Sequence, residues 1–331
     1  MMKYTLVTQS FGKENEYKRA ILLLWSFWAV TPKPLPIMLF TDNPDYFYPY
    51  VSGMPVTFVP LFENKIKEMR GEIDFLHRMK ISLIEESFEK TNDIILYADS
   101  DTFFTGDPGS YVKRISPYQN FMHLMEYPFY ELRNMPLPSG KYAHAFLDLI
   151  EKKMFQLSDG TGLKIDPHLY SWNAGVMFLH PSVAEWLPDV YALTDQFFPS
   201  TGNHASEQFA FSIMLQNRTK VNACSDVIYH YWYRVKKDVM DNWLSKTITP
   251  DWAMRSSEDK VEMIKSWVTI LPDKIENHAW MLRDNAIQAF HENKFSEGYK
   301  FAFRKIIKSP FDGKFIKDLL YHVKRQISQT K

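Results

Sequence analysis

The sequence has a single cysteine, Cys224, in 331 residues. That excludes an intramolecular disulfide framework and a cysteine-rich zinc site, and it leads to the expectation of a reducing, cytosolic compartment. A dominant charge is also missing: Lys plus Arg and Asp plus Glu are 39 each, and the pI is about 7.2. A general nucleic-acid binder carries a basic excess, so no nucleic-acid partner is expected. Hydrophobic runs stop short as well. The longest, residues 20–30, is interrupted by Ser26 and falls below the roughly 20 apolar residues that cross a bilayer. It reads as a buried helix. The opening residues lack a basic stretch followed by an apolar core and a small-residue cleavage site, so no secretory leader is expected. Internal repeats and low-complexity tracts are lacking too.

What is present is an ordinary globular mixture, 45% hydrophobic, 16% aromatic and 24% charged, in a chain long enough for one large or two ordinary domains. The first third alternates short apolar strands with helical stretches. Residues 4–8 read as a strand, 14–30 as a helix dense in Leu and Trp, and 37–40 as a strand after a turn marked by Pro32, Pro34 and Pro36. A third strand spans 56–61. Residues 74–90 give a helix with Phe75, Met79, Ile81, Leu83, Ile84 and Phe88 on its apolar face, and 93–99 form a run continuous enough for a strand buried on both sides. That alternation argues for parallel βαβ units.

The middle is less regular. Strands are expected at 121–125, 172–179 and within 221–230, helices at 183–198 and 206–216 with Ser206 as N-cap, and a loop at 158–162, while residues 127–140 are rich in Pro, Tyr and Phe. Beyond about residue 250 helical, charged segments take over. Residues 291–331 carry eight Lys and two Arg against four acidic side chains, with Phe315, Ile316, Leu319, Leu320, Val323 and Ile327 at helical spacing. This tail reads either as a helix packed on the domain or as a basic amphipathic helix resting on an anionic membrane surface.

Chemistry concentrates where the run 93–99 ends, at Asp99-Ser100-Asp101. Ligands of open α/β sheets gather beyond the carboxyl ends of strands, and carboxylates at i and i+2 of extended backbone project to one side. Such a pair holds a hard cation through oxygen, and the cation grips a diphosphate. Alternatively, the two aspartates merely cap the amides of a strand-end turn. Three further motifs follow in order: Trp172-Asn173-Ala174-Gly175-Val176, Glu207-Gln208, and Tyr229-His230-Tyr231-Trp232.

With these four motifs the chain resembles a glycosyltransferase of the GT-A fold, closest in pattern to the retaining family of glycogenin and bacterial lipopolysaccharide α-galactosyltransferases. The resemblance implies an α/β, GT-A (nucleotide-diphospho-sugar transferase) fold with a mixed, mainly parallel central sheet. The matches cover roughly residues 4–240, so a catalytic domain is expected at residues 1–250, and the loss of strand signals beyond it gives a helical extension at 251–331. The resemblance implies transfer from a nucleotide-sugar donor, a UDP-sugar, to a hydroxyl of a glycan, lipid-linked or protein acceptor, with retention. By position Asp99, Asp101 and His230 become metal ligands, the imidazole tilting the choice toward Mn2+ over Mg2+. Glu207 and Gln208 become the groups beside the anomeric carbon, although the family's second acid is absent here and Phe209 follows.

Donor contacts are expected from Thr8 and Asp42 at the ends of the first two strands, and from Ser100, Trp172 and Asn173. Arg78 and Lys80 lie two apart on one helix and do not share a face, so one of them is expected to meet the donor, with spacing favouring Lys80. Lys237 is the expected diphosphate contact beyond His230, with Lys236 as its alternative. An inverting reaction would instead need a base such as Glu126. The rival enzyme class is a phosphohydrolase or phosphotransferase with an aspartyl-phosphate intermediate, whose Thr or Val position is Phe103 here. The non-enzyme reading is a sugar-nucleotide-binding protein without turnover. Localisation is expected to be cytoplasmic, peripheral at the inner membrane face if the tail binds lipid.

Overall fold

The computed structural model describes residues 3–32, 35–138 and 140–329; Pro34 of the expected turn and the last two residues of the expected tail lie outside them. The strands are β1 (Tyr4–Ser10), β2 (Ile37–Thr41), β3 (Val56–Pro60), β4 (Ile94–Ala98), β5 (Thr102–Phe104), β6 (Gln119–Met122), β7 (Met125–Pro128), β8 (Phe155–Gln156), β9 (Gly162–Leu163), β10 (Tyr170–Trp172), β11 (Val176–Leu179), β12 (Lys220–Ala223) and β13 (Ile228–His230). Up to the Asp99 turn the helices are α1 (Glu14–Val30), α2 (Pro44–Phe47), α3 (Glu63–Arg70) and α4 (Met79–Lys90). The middle adds α5 (Gly109–Val112), α6 (Lys141–Lys152), α7 (Leu187–Thr201), α8 (Ser206–Arg218) and α9 (Arg234–Thr247). The last are α10 (Pro250–Ala253), α11 (Ser257–Glu276), α12 (Ala279–His291), α13 (Phe295–Lys308) and α14 (Gly313–Gln329).

Seven strands form the central sheet in the order β12-β6-β11-β4-β1-β2-β3. β3, β2, β1 and β4 run parallel, as do β6 and β12, while β11 is antiparallel to both its neighbours. The sheet is therefore mixed and mainly parallel. Period-2 geometry sends successive side chains to opposite faces. Leu6, Leu96 and Phe178 pack with α1 and α11, while Val7, Ile95, Tyr97 and Met177 pack with α4, α7 and α8. Both faces are covered, which is why β4 reads as Ile-Ile-Leu-Tyr-Ala without a polar break.

Several expected elements shift. Residues 172–179 do not form one strand: Trp172 ends β10, which pairs with β7, and β11 begins at Val176 in the central sheet. The Asn173-Ala174-Gly175 break between them faces the site described below. The helix expected at 74–90 starts with a tight 3-10 turn, Leu76–Arg78, before α4. Residues 127–140 hold β7's end and a 3-10 helix, Phe129–Asn134, and α6 behind them has no counterpart in the sequence reading. Ser206 is the first helical residue of α8, with Ala205 at the cap position; its hydroxyl donates to Asn203 O at 2.6 Å.

The boundary expected at residue 250 cuts through a shared core. Ile264, Val268, Leu271 and Ile275 of α11 belong to the same cluster as Leu6 and Trp25, and Trp25 meets Trp252 edge-on at 5.7 Å. A separate small cluster, Ala286, Phe290, Ala302 and Phe315, joins α12, α13 and α14. In α14 Phe315 and His322 face that cluster, whereas Ile316, Leu320 and Ile327 are exposed. No helix among the described residues is long and apolar enough to cross a membrane.

Candidate active site

A cavity of about 750 Å3 opens at the carboxyl ends of β1 and β4. Its chemistry begins with the turn that follows β4. Asp99, Ser100 and Asp101 are not extended, as the i, i+2 reading assumed; they form a tight connection to β5, closed by Thr102 Oγ1 donating to Asp99 O at 2.8 Å. β13 pairs antiparallel with β5, setting His230 opposite Thr102, and Tyr231 N donates to Asp101 O at 3.0 Å. A strand more than a hundred residues downstream is thereby registered against the acid pair. Ligand atoms of Asp99, Asp101 and His230 all lie within 4.8 Å of one another.

The residues fit a divalent cation on their own chemistry. Nδ1 of His230 lies 3.0 Å from Asn173 Oδ1, and Asn173 Nδ2 donates to Glu126 Oε1 at 3.3 Å. The carboxylate fixes which way the amide points, so in the neutral imidazole Nδ1 carries the proton and Nε2 presents its lone pair. That Nε2 is buried, 3.4 Å from Asp101 Oδ1, and has no hydrogen-bond partner among the described residues. A bare imidazole nitrogen beside a carboxylate is a ligand pair of the hard-to-borderline kind that Mn2+ or Mg2+ sites use.

Two lysines balance the acids. Lys80, 4% exposed, places Nζ 3.1 Å from Glu207 Oε1, 3.4 Å from Asp99 Oδ2 and 3.2 Å from Ala174 O. Burial alone would lower its pKa; the Asp99 and Glu207 carboxylates outweigh that and hold it above the usual lysine value. Lys237, in the first turn of α9, reaches Asp101 Oδ2 at 2.6 Å. Burial pushes the Asp101 carboxyl up, yet the protonated form of the His230 imidazole and the Lys237 ammonium hold it well below the usual carboxylate range. Asp99 is also held by Tyr97, whose hydroxyl donates to Oδ1 at 2.6 Å and accepts from Gln9 Nε2 at 3.2 Å.

Glu207 and Gln208 open α8 at the cavity wall. Glu207 is 3% exposed and its Oε2 has no partner among the described residues. Gln208 accepts from Ala174 N at 3.2 Å and donates to Glu126 Oε2 at 2.9 Å and Ser171 Oγ at 3.0 Å. Glu126, the alternative base, is thus taken up by Ser171, Asn173 and Gln208 and braces them from behind.

Of the expected donor contacts, Ser100, Asn173, Lys80 and Lys237 line the cavity. Thr8, Asp42, Arg78 and Trp172 do not. β1 continues two residues past the expected end, so Thr8 is buried mid-strand and Gln9 to Gly12 border the cavity instead. Asp42 accepts from Gly12 N at 2.9 Å and Tyr17 Oη at 2.8 Å, and so anchors that loop from outside. Arg78 turns to Asp195, with bonds of 2.7 and 3.1 Å, and stacks 4.5 Å over Tyr191. Trp172 packs in the core against α8, its amide donating to Ser212 Oγ at 2.9 Å. Lys236 pairs with Glu276, away from Asp101.

The sequence reading missed four lining or supporting residues. Tyr97 lies two residues before Asp99 in the same strand, a spacing that would have exposed it. Gln9 and Glu16, whose Oε2 accepts from Ser100 Oγ at 3.2 Å, carry no pattern. His123 lies edge-on 5.3 Å from His230, and its pKa is pushed down to about 3 by burial and then by His230.

No family model matches the chain, and no curated protein matches it in sequence. Among solved structures, mouse xyloside xylosyltransferase 1 in its apo form is similar over 68% of this chain and 85% of its own, with a TM-score of 0.44 and 12% identity. The galactosyltransferase LgtC, solved with donor and acceptor sugar analogs, is similar over 79% and 95%, with a TM-score of 0.45 and 10% identity. For the glycosyltransferase GlyE of Streptococcus pneumoniae the shares are 79% and 63%, the TM-score 0.46 and the identity 10%. All three TM-scores lie under 0.5, so the function rests on this chain's own residues.

Proposed function

We propose that this chain is a GT-A glycosyltransferase that moves a sugar from a nucleotide diphosphate, of the UDP-sugar type, to an acceptor hydroxyl with retention of configuration. The observation that carries the reading is the convergence of Asp99, Asp101 and His230 within 4.8 Å on a ligand-sized cavity also lined by Lys80, Glu207 and Lys237. In this proposal the first three would hold a divalent ion, Mn2+ or Mg2+, which when bound neutralises charge on the departing diphosphate as a Lewis acid.

The chain's own residues supply the rest. Lys237 exchanges its Asp101 contact for a diphosphate oxygen. Lys80 bridges Asp99 and Glu207 with its ammonium. Glu207 turns its unpartnered Oε2 to the sugar and favours positive charge at the anomeric carbon. Gln208, clamped by Glu126 and Ser171, gives the sugar a fixed wall. The acceptor proton goes to the leaving phosphate oxygen on the same face, a route that leads to retention. The acceptor, a glycan, a lipid-linked sugar or a protein, enters from the open side, where Trp232 is 43% exposed. A cytoplasmic, membrane-peripheral location belongs to the same proposal. It draws support from Ile316, Leu320 and Ile327, which are exposed among Lys314, Lys317 and Lys324.

Thermal-shift screening of nucleoside diphosphates and UDP-sugars with and without Mn2+ tests this. The expected result is Mn2+-dependent stabilisation by one diphosphate that disappears in Asp101→Ala. Stabilisation indifferent to metal would remove the mechanism, and an inverted product would remove retention.

A further inference from the structure

Helix α9 carries Lys237 at the active site, and nine residues later, about 14 Å along its axis at 1.5 Å per residue, it presents Lys246 to a second cavity. This one measures about 560 Å3 and lies between α9, α11, the start of α12 and the end of α13. Its floor is apolar: Val239 and Met240 of α9 and Leu271 and Ile275 of α11 are all buried. Its mouth is cationic. Lys246, Lys274 and Lys308 come from three different helices, and none has an ion-pair or hydrogen-bond partner among the described residues.

Two neighbours sharpen the picture. The acid among the lining residues, Asp273, is engaged by Asn277 Nδ2 at 2.7 Å. His278, also in the lining, is held below the ordinary histidine pKa by burial and then by the charge of Lys308, itself a lining residue. Like charges gathered round one opening repel, and an anion seated among them removes that cost.

We infer that this cavity binds an anionic amphiphile: a phosphate head held by Lys246, Lys274 and Lys308, and an alkyl or isoprenoid body laid on the apolar floor. Three ammonium groups on separate helices match a dianionic head better than a single carboxylate, and lysine binds phosphate as a point charge without demanding a planar partner. The volume falls in the range of small-molecule sites, and apolar lining with a few convergent polar groups is their usual character. The inference does not depend on the glycosyltransferase reading.

Isothermal titration of the full chain tests it with four probes: dodecyl phosphate below its micelle concentration, inorganic phosphate, dodecanoate, and a neutral dodecyl polyether. The expected result is saturable one-to-one binding of dodecyl phosphate, at least about tenfold tighter than any other probe. Lys246→Ser/Lys274→Ser/Lys308→Ser should weaken it by at least about tenfold with an unchanged melting profile, and the corresponding triple Arg variant should retain it. Equal binding of the neutral polyether, inorganic phosphate matching dodecyl phosphate, no binding, or a triple Ser variant that binds like wild type would each overturn the inference. Displacement by UDP with Mn2+ would also overturn it, since the probe would then sit in the first cavity.

Discussion

A Cβ placed on Gly175 would stand 2.0 Å from Cε1 of His230 and 2.6 Å from its Nδ1. The imidazole therefore occupies space that only a glycine leaves open, and the neighbour two residues earlier, Asn173, supplies the acceptor that orients it. One break between β10 and β11 both seats and aims the histidine.

Gly175→Ala should accordingly displace His230 while leaving the sheet intact. Divalent-ion affinity, measured by titrating Mn2+ against the chain and following free Mn2+ by paramagnetic resonance, should fall at least about tenfold, with about 1–3 kcal/mol lost from stability. Unchanged Mn2+ affinity would separate the histidine from the metal.

Lys80 is the counter-ion of two carboxylates in a setting with little water. Lys80→Met leaves Glu207 and Asp99 uncompensated and should cost about 3–5 kcal/mol in urea unfolding. Adding Glu207→Gln to it should restore part of the loss, because one buried charge is removed with its partner. A loss under about 1 kcal/mol in the single variant would mean that the cluster is better hydrated than its burial implies.

His123 gives the fold an acid-sensitive element. Its pKa is about 3 in the folded chain against 6.5 for the ordinary group, so between those values the unfolded chain binds the extra proton. Stability rises with pH across that window and falls as pH drops from 6.5 toward 3, by up to about 1.4 kcal/mol per unit. Asp101, whose folded pKa is lowered, loses its contribution only at pH values below the ordinary 3.8. Urea melts at pH 4 to 7 should show a shallower slope in His123→Gln than in wild type; parallel curves would assign the acid sensitivity elsewhere.

Arg78 and Lys237 should separate by readout. Arg78→Ala breaks the paired contact with Asp195 and should cost about 2 kcal/mol of stability, with nucleotide affinity in the presence of Mn2+ unchanged. Lys237→Ala should weaken nucleotide binding at least about tenfold with little effect on folding. Nucleotide affinity lost in Arg78→Ala would return Arg78 to the donor site.

Local pattern made the scaffold legible. Apolar continuity in residues 93–99 identified a strand covered on both faces, α1 fell at residues 14–30 as read, and the position of Asp99 beyond a strand end marked the cavity. The four motifs also met at one place, with Asp99, Asp101, Asn173, Gly175, Glu207, Gln208 and His230 all bordering it. Thr8 and Trp172 were misplaced because strand ends and the direction of a single side chain depend on a shift of one or two residues, which sequence periodicity does not resolve.

By itself the sequence determined which faces are apolar, hence that helices must cover both sides of the sheet, and which acids stand where β4 stops. Tertiary structure alone decided that β11 enters antiparallel, that β13 sets His230 opposite Thr102 and so beside Asp101, and that Arg78 turns to Asp195. The physical reason is range. Helical and strand periodicities act over a few residues and are written in the local chain, whereas the pairing of residues 57 or 127 positions apart, such as Asn173 with His230 or Lys80 with Glu207, exists only after the packed core has fixed the elements that carry them.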